Sequence, residues 1–187
     1  KGTPDIKVIT GVRRSGKSRL MESYIDWLEN TDQDANIIYI DYTNLQFEDL
    51  KEYHALNKYV EEHYQRGKSN YLFVDEVQMC PQFELTINSL HSSEKYDIYV
   101  TGSNAFLLSS DLATLFTGRT YEIEIFPFSF EEYVEYYQFE DMDKAFDRYI
   151  KDGGLSGAYV YREQEERYHY IEDVFDTLII RDIRQKY

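Results

Sequence analysis

Residues 11–18 are Gly-Val-Arg-Arg-Ser-Gly-Lys-Ser and match the spacing G-x-x-x-x-G-K-[ST] without a mismatch. A short β-branched stretch, Ile6–Thr10, precedes them, and apolar residues at helical spacing follow. We therefore predict a strand, a glycine loop and a helix in that order. The glycines let successive backbone N–H groups point at phosphate oxygens, and the positive end of the helix strengthens that field. The flanking strand and helix favour a phosphate-binding loop over a chance glycine turn.

The pattern also assigns chemistry to individual residues of the loop. Lys17 would reach the β- and γ-phosphates of a nucleotide, and the Ser18 hydroxyl would ligate Mg²⁺. Arg13 and Arg14 lie inside the loop, and spacing leaves open whether either side chain faces the nucleotide or solvent. The predicted nucleotide contacts of this segment are Gly11, Val12, Arg13, Arg14, Ser15, Gly16, Lys17, Ser18 and Arg19.

Four further β-rich stretches alternate with segments of helical periodicity, which is typical of a parallel sheet covered on both faces. They are residues 36–40, 71–74, 97–101 and 121–125, with a helix predicted at 105–116. We predict an α/β fold with a five-stranded, mainly parallel sheet between helices in residues 1–127. Ser129 and Glu132 then have the spacing of a capping box, which predicts an all-helical region over residues 128–187. Its last helix has no capping signal before Tyr187, so we expect the start of a truncated C-terminal region.

Composition narrows the classes of function. The chain carries 20 Lys and Arg against 35 Asp and Glu, a formal net charge of −15 in 187 residues. Such a surface repels nucleic-acid phosphate, so we do not expect this segment to bind nucleic acid directly. Cys80 is the only cysteine, which excludes a disulfide framework and a multi-cysteine metal site. The sequence has neither an apolar run of about 18 residues nor a signal peptide, and we expect a cytoplasmic protein without a membrane span.

An acidic pair follows the third predicted strand. Asp75 and Glu76 come directly after Tyr71–Val74, an apolar run typical of a strand buried on both faces. Beside a phosphate loop, Asp75 is expected to hold Mg²⁺ through water, and Glu76 to polarise the attacking water. The alternative is a pair of solvated carboxylates at a strand end, which we would prefer if the phosphate loop were absent.

Two other positions are candidates with open alternatives. Thr101 and Asn104 close the fourth strand, where a polar side chain could contact the γ-phosphate, although Asn104 could equally cap the next helix. Arg119 precedes the fifth strand, and an arginine there could stabilise transition-state charge in its own site or in a neighbour's. Its alternative role is a cation at the C-terminal end of a helix. The sequence lacks an N/T-K-x-D guanine-recognition segment, so we expect ATP.

In this order the motifs resemble the microbial AAA-type ATPases whose C-terminal half is a domain of unknown function. The resemblance covers nearly the whole chain and is carried by residues 6–18, 73–78, 101–105, 107–113, 117–119, 126–133, 153–155 and 180–183. It implies a P-loop NTPase core of the additional-strand, catalytic-glutamate type, followed by part of a helical lid. It also implies that Asp75 and Glu76 form the Walker B pair and that residues 101–104 are the first sensor. Arg119 matches a Gly-Arg position of that family.

We therefore expect an ATPase that uses ATP and Mg²⁺, with Glu76, Lys17 and Arg119 as catalytic residues and Ser18 and Asp75 at the metal. Hydrolysis to ADP and phosphate would drive movement of a C-terminal region or a partner. The alternatives are a nucleotide-dependent binding switch with negligible hydrolysis and, less favoured, a P-loop kinase. The sequence leaves open a homo-oligomer and an unidentified protein partner.

Overall fold

The computed structural model describes residues 4–102, 116, 118–178 and 180. Within them, the strands are β1 (Ile6–Gly11), β2 (Ala35–Asp41), β3 (Ser69–Asp75), β4 (Tyr96–Thr101) and β5 (Thr120–Ile125). The α-helices are α1 (Lys17–Thr31), α2 (Tyr53–Glu62), α3 (Phe83–Ser92), α4 (Phe130–Tyr137), α5 (Met142–Asp152) and α6 (Gln164–Thr177). Short 3₁₀ segments span Leu45–Leu50, Val77–Met79 and Ser156–Val160. Apart from Phe116, the helix predicted at 105–116 lies outside the described residues.

The chain divides into two compact units. The first consists of Lys1–Thr10 with Lys17–Glu124, and the second of Gly11–Gly16 with Ile125–Tyr187. The glycine loop, which the sequence assigns to the first domain, therefore groups with the helical region. None of the described helices combines the length and the apolar character that crossing a membrane requires.

The five strands form one sheet in the order β2-β3-β4-β1-β5. The pairs β2–β3, β3–β4 and β4–β1 are parallel, and Val74 aligns with Val100 while Thr101 aligns with Ile9. Because β4 lies between β1 and β3, the carboxyl ends of these three strands meet at one edge of the sheet. The predicted α/β fold with a five-stranded sheet is confirmed.

The edge strand β5 runs in the same direction as its neighbour β1. The backbone N–H of Ile6 donates to the Arg119 carbonyl at 2.9 Å, and further along the strands the Thr10 hydroxyl donates to Glu122 at 2.9 Å. The strands β1 and β5 therefore begin at the same end of the sheet and are parallel. The amino end of β5 therefore lies at the edge opposite to the carboxyl ends of β3 and β4.

Burial explains why these segments form strands. All of β1 and six of the seven residues of β3 are buried, as expected for central strands covered on both faces. Each large apolar side chain buried in this way contributes about 1.5–3 kcal/mol. One continuous core joins the sheet to α2 and α3, and its members include Ile6, Val8, Leu72, Val74, Val100, Leu56, Val60, Ile87 and Leu90.

In the second unit, the predicted capping box is confirmed at the start of α4. The Ser129 hydroxyl accepts from the Glu132 backbone N–H at 3.3 Å, and the Glu132 carboxylate accepts from the Ser129 N–H at 2.8 Å. Helix α5 ends at Asp152, which is 1% exposed. Its carboxylate accepts hydrogen bonds from Tyr133 at 2.7 Å, from Arg148 at 3.1 Å and from Arg167 at 2.8 Å. One carboxylate thus links α4, α5 and α6.

This network makes the second unit sensitive to acid. Burial alone raises the pKa of the Asp152 carboxyl, but the bonds from Tyr133 and Arg167 and the nearby guanidinium charges outweigh it. The net result is a pKa below the usual 3.8. A lowered pKa stabilises the fold above the unfolded-state pKa, and that stability is lost as pH falls through the folded-state pKa. We expect Asp152→Asn to cost about 2 kcal/mol at pH 7. Its difference from wild type in thermal unfolding should shrink below about pH 4, whereas a difference independent of pH would contradict this.

Candidate nucleotide site

The loop after β1 contains two backbone conformations that constrain its sequence. Gly16 has a φ of +105°, a region that side chains with a Cβ rarely adopt, so glycine is required there. Arg14 has a φ of 64° and lies in the left-handed region despite its side chain. Between them, the Ser15 backbone N–H donates to the Val12 carbonyl at 3.1 Å. The loop is therefore a tightly curled segment, as the sequence predicts for a phosphate cradle.

A polar group inside this loop is suited to a ligand. Ser15 is 7% exposed, and its buried hydroxyl has no hydrogen-bond partner among the described residues. The loop leaves no room for a side chain at Gly11, because a Cβ there would lie 2.2 Å from the Ile125 carbonyl and 2.8 Å from the Ser15 hydroxyl. Buried hydroxyls without a partner are costly, so a phosphate oxygen is a fitting acceptor for this one.

Lys17 and Ser18 are the first two residues of α1, as the pattern requires. Lys17 is 7% exposed, and Ser18 is half-buried. A lysine at this position faces the positive end of the helix dipole, which is unfavourable by about 0.3–1 kcal/mol unless an anion is nearby. Arg19 differs from the expectation, because its side chain is 88% exposed and pairs with Glu22 at 2.8 Å on α1. The structure thus gives Arg19 a partner outside the loop.

The ends of β3 and β4 bring three predicted residues together. Asp75 is 3% exposed, and its Oδ1 accepts a short hydrogen bond from the Thr101 hydroxyl. The backbone N–H of Glu76 lies 3.1 Å from both Asp75 Oδ1 and Thr101 Oγ1. Asp75 is therefore held in place by a neighbouring strand and is not a solvated carboxylate. Thr101, for which the sequence left a plain turn open, contacts both acidic residues.

Glu76 has a special backbone conformation of its own. Its φ is 54°, a left-handed conformation that costs a non-glycine residue about 1–3 kcal/mol and is common at functional sites. Its Oε2 accepts a hydrogen bond from the Gln78 side-chain amide. Sequence reasoning did not identify Gln78 as a site residue. Its position in the sequence, two residues after Glu76, is the signal that could have identified Gln78 as a site residue.

The residues present fit a magnesium ion by their chemistry. Mg²⁺ prefers oxygen ligands, usually one or two carboxylates with phosphate and water. None of the hydrogen bonds between described residues ends on Oδ2 of Asp75, and the Ser18 hydroxyl is the other predicted ligand. In the part of the chain that the structure describes, no group of three or more His, Cys, Asp or Glu residues could hold a metal alone.

Arg119 lies away from these residues. It is exposed and sits at the amino end of β5, whereas Asp75 and Thr101 lie at the carboxyl ends of parallel strands. A six-residue strand separates these two edges of the sheet by about 20 Å. Of the alternatives left open for Arg119, this geometry does not favour action on the acidic pair of its own chain. Asn104 lies outside the described residues.

Residues 3–134 match the sequence profile of a family described as the AAA domain. The chain belongs to this family. The match extends from β1 into the first half of α4 and includes the glycine loop, the acidic pair, Thr101 and Arg119. An uncharacterised protein of Haemophilus influenzae is 33% identical over 192 residues, which cover 100% of this chain and 48% of that protein. The chain thus spans about half the length of that relative.

Solved structures support the AAA architecture at the level of fold. AMPPCP-bound DnaA from Aquifex aeolicus aligns with a TM-score of 0.52 and 16% identity, covering 98% of this chain and 59% of that chain. The Aeropyrum pernix Orc1 protein in complex with DNA aligns with a TM-score of 0.54 and 12% identity, covering 95% and 61%. The predicted AAA-type, P-loop class is confirmed. The C-terminal domain implied by the resemblance stays a prediction.

Proposed function

We propose that this AAA domain binds ATP with Mg²⁺ at the glycine loop and hydrolyses it to ADP and phosphate. The observation that carries the proposal is the contact of Thr101 with both Asp75 and Glu76. Thr101 lies on β4, which pairs with β1, and β1 leads into the glycine loop. The three polar residues thus belong to the sheet edge from which the loop begins.

Each residue has a role that its chemistry supports. Lys17 would bind the β- and γ-phosphate oxygens, and the Ser15 hydroxyl and loop N–H groups would donate to them. Bound Mg²⁺ would neutralise the charge that develops on the phosphates, with Ser18 and Asp75 as its protein ligands. Glu76 would accept a proton from the attacking water, and Thr101 would keep Glu76 and Asp75 in position.

A nucleotide-dependent binding switch is the second candidate. It is favoured by the bond from Gln78 to Glu76 Oε2, because that bond engages an oxygen which a general base needs for water. In such a switch, ATP would bind and change the partner affinity of the chain with little hydrolysis. The distinction depends on whether Glu76 becomes available when nucleotide is bound.

The exposed position of Arg119 supports a role in a second copy of the chain. An arginine supplied in trans typically stabilises transition-state charge on a transferring phosphate. We therefore propose a homo-oligomer in which Arg119 reaches the site of its neighbour. Hydrolysis would then drive movement of a C-terminal region or of a protein partner.

Turnover of Mg-ATP over a hundredfold range of protein concentration tests the proposal. We expect a rate that grows faster than linearly, because dilution separates Arg119 from the site it completes, and we expect Arg119→Ala to remove that growth. A linear rate unaffected by Arg119→Ala would contradict the role in trans and leave the hydrolase intact. ATP binding without turnover at any concentration would favour the switch, and absence of binding would overturn both candidates.

A further inference from the structure

The glycine loop has a specific contact with the last helix of its own unit. The guanidinium of Arg14 lies over the ring of Tyr170, with its central carbon 4.8 Å from the ring centroid. Tyr170 belongs to α6, and both residues lie in the second compact unit. A guanidinium over an aromatic face is attracted by the ring quadrupole and also stacks on it. The contact therefore fixes one loop side chain from outside the loop.

The backbone at Arg14 gives this contact its importance. A left-handed conformation at a residue with a Cβ costs about 1–2 kcal/mol, and it persists only where the surrounding structure enforces it. Inside the loop, the Ser15 N–H bond to Val12 supports the turn. The Tyr170 ring supports the same conformation of Arg14 through its contact with the guanidinium. Loss of the ring would let Arg14 relax and would disturb the direction of neighbouring loop N–H groups.

The ring of Tyr170 is itself held in a defined place. Its hydroxyl packs against Gly157, where a Cβ would lie 2.0 Å from the hydroxyl oxygen. Tyr161 lies beside it, with ring centroids 5.7 Å apart. The 3₁₀ segment Ser156–Val160 thus determines where the ring stands, and glycine at 157 makes room for it.

We propose that Tyr170 is a positioning residue for the phosphate loop, acting through Arg14 on the conformation that receives phosphate. The inference rests on the proposed function, because it concerns the same nucleotide. Coupling of this kind is reciprocal. Phosphate bound in the loop therefore stabilises the packing of α6 by the same factor by which Tyr170 improves nucleotide affinity.

The first test compares dissociation constants for Mg-ATP in single variants. We expect Tyr170→Leu to bind about three- to tenfold more weakly than wild type, the range of a partly exposed cation–π contact. Tyr170→Phe keeps the ring and should bind like wild type. Tyr168→Leu is the matched control, because Tyr168 is exposed on the same helix and accepts a bond only from Gln164 among described residues. Equal affinity of Tyr170→Leu and wild type would overturn the inference.

A double-mutant cycle separates positioning from general damage to α6. If Tyr170 acts through Arg14, the double variant Arg14→Ala with Tyr170→Leu should bind no more weakly than the worse single variant. Additive losses would overturn the inference, since Arg14 would then act on phosphate independently of the ring. Failure of wild type to bind ATP would instead overturn the proposed function, and with it this role.

If Tyr170→Leu does not fold, hydrogen exchange of the wild-type protein tests the coupling between α6 and nucleotide binding. In wild type, saturating Mg-ATP should slow the exchange of backbone amides in Gln164–Thr177 by about the factor that the coupling supplies. Bound ATP that leaves the exchange of α6 unchanged would overturn the coupling.

Discussion

Replacing Lys17 with alanine should weaken Mg-ATP binding by about 30-fold or more. Lys17 is the first residue of α1 and is almost buried, so a phosphate bound to its ammonium would be largely shielded from water. Removing one partner of such a charge-assisted contact costs about 2–5 kcal/mol, which corresponds to a large loss of affinity. The measurement is the dissociation constant by calorimetry, with MgATP and the purified protein.

The variant should lose its ligand and keep its fold. Alanine is the best helix former, so α1 should persist. Lys58→Ala makes the same change of charge on the exposed face of α2, where Lys58 is 76% exposed, and serves as the control. Unchanged affinity in a folded Lys17→Ala protein would contradict the assignment of the phosphate loop.

Local signals in the sequence accounted for much of the fold. The capping box at Ser129, the glycine loop and the apolar run before Asp75 are each only a few residues long. Each pattern reflects either a local backbone conformation or the spacing of apolar residues in a helix or strand. Strands alternating with helices also predicted the parallel sheet. These features could be recognised because they depend on interactions between residues that are close in sequence.

The site depended on contacts that no local pattern encodes. The Thr101 hydroxyl meets Asp75 across 26 positions of sequence, and only the parallel register of β3 and β4 brings them together. Sequence spacing therefore could not decide between a sensor and a simple turn. Arg14 and Tyr170 are farther apart still, and their contact depends on how the second unit packs.

Strand direction explains why Arg119 could not be located from the sequence. The Gly-Arg pattern indicates a loop before β5, but it does not say at which edge of the sheet that loop lies. Because β5 runs parallel to β1, Arg119 stands at the amino edge, beside Ile6. The parallel direction that brings the strand ends carrying Asp75 and Thr101 together also places Arg119 at the opposite edge of the sheet.

Replacing Glu76 with glutamine should lower ATP turnover by about 10²- to 10⁴-fold, the usual contribution of a general base. Affinity for Mg-ATP should change little, because an amide has nearly the shape of a carboxylate and its oxygen can still accept the bond from Gln78. Glutamine should also tolerate the left-handed backbone at position 76 about as well as glutamate. The variant therefore removes the proton acceptor and keeps the geometry.

Glu62→Gln provides the matched control for this change, since Glu62 is 61% exposed at the end of α2 and its only described ion pair is a loose one with Lys58 at 3.8 Å. Single-turnover and steady-state rates, measured together with the affinity for ATP, distinguish ATP hydrolysis from a nucleotide-dependent binding switch. A Glu76→Gln protein that binds and hydrolyses ATP like wild type would show that another group accepts the proton. If wild type itself binds without turnover and the two proteins behave alike, Glu76 positions Gln78 in a binding switch, and the left-handed backbone serves that bond instead of catalysis.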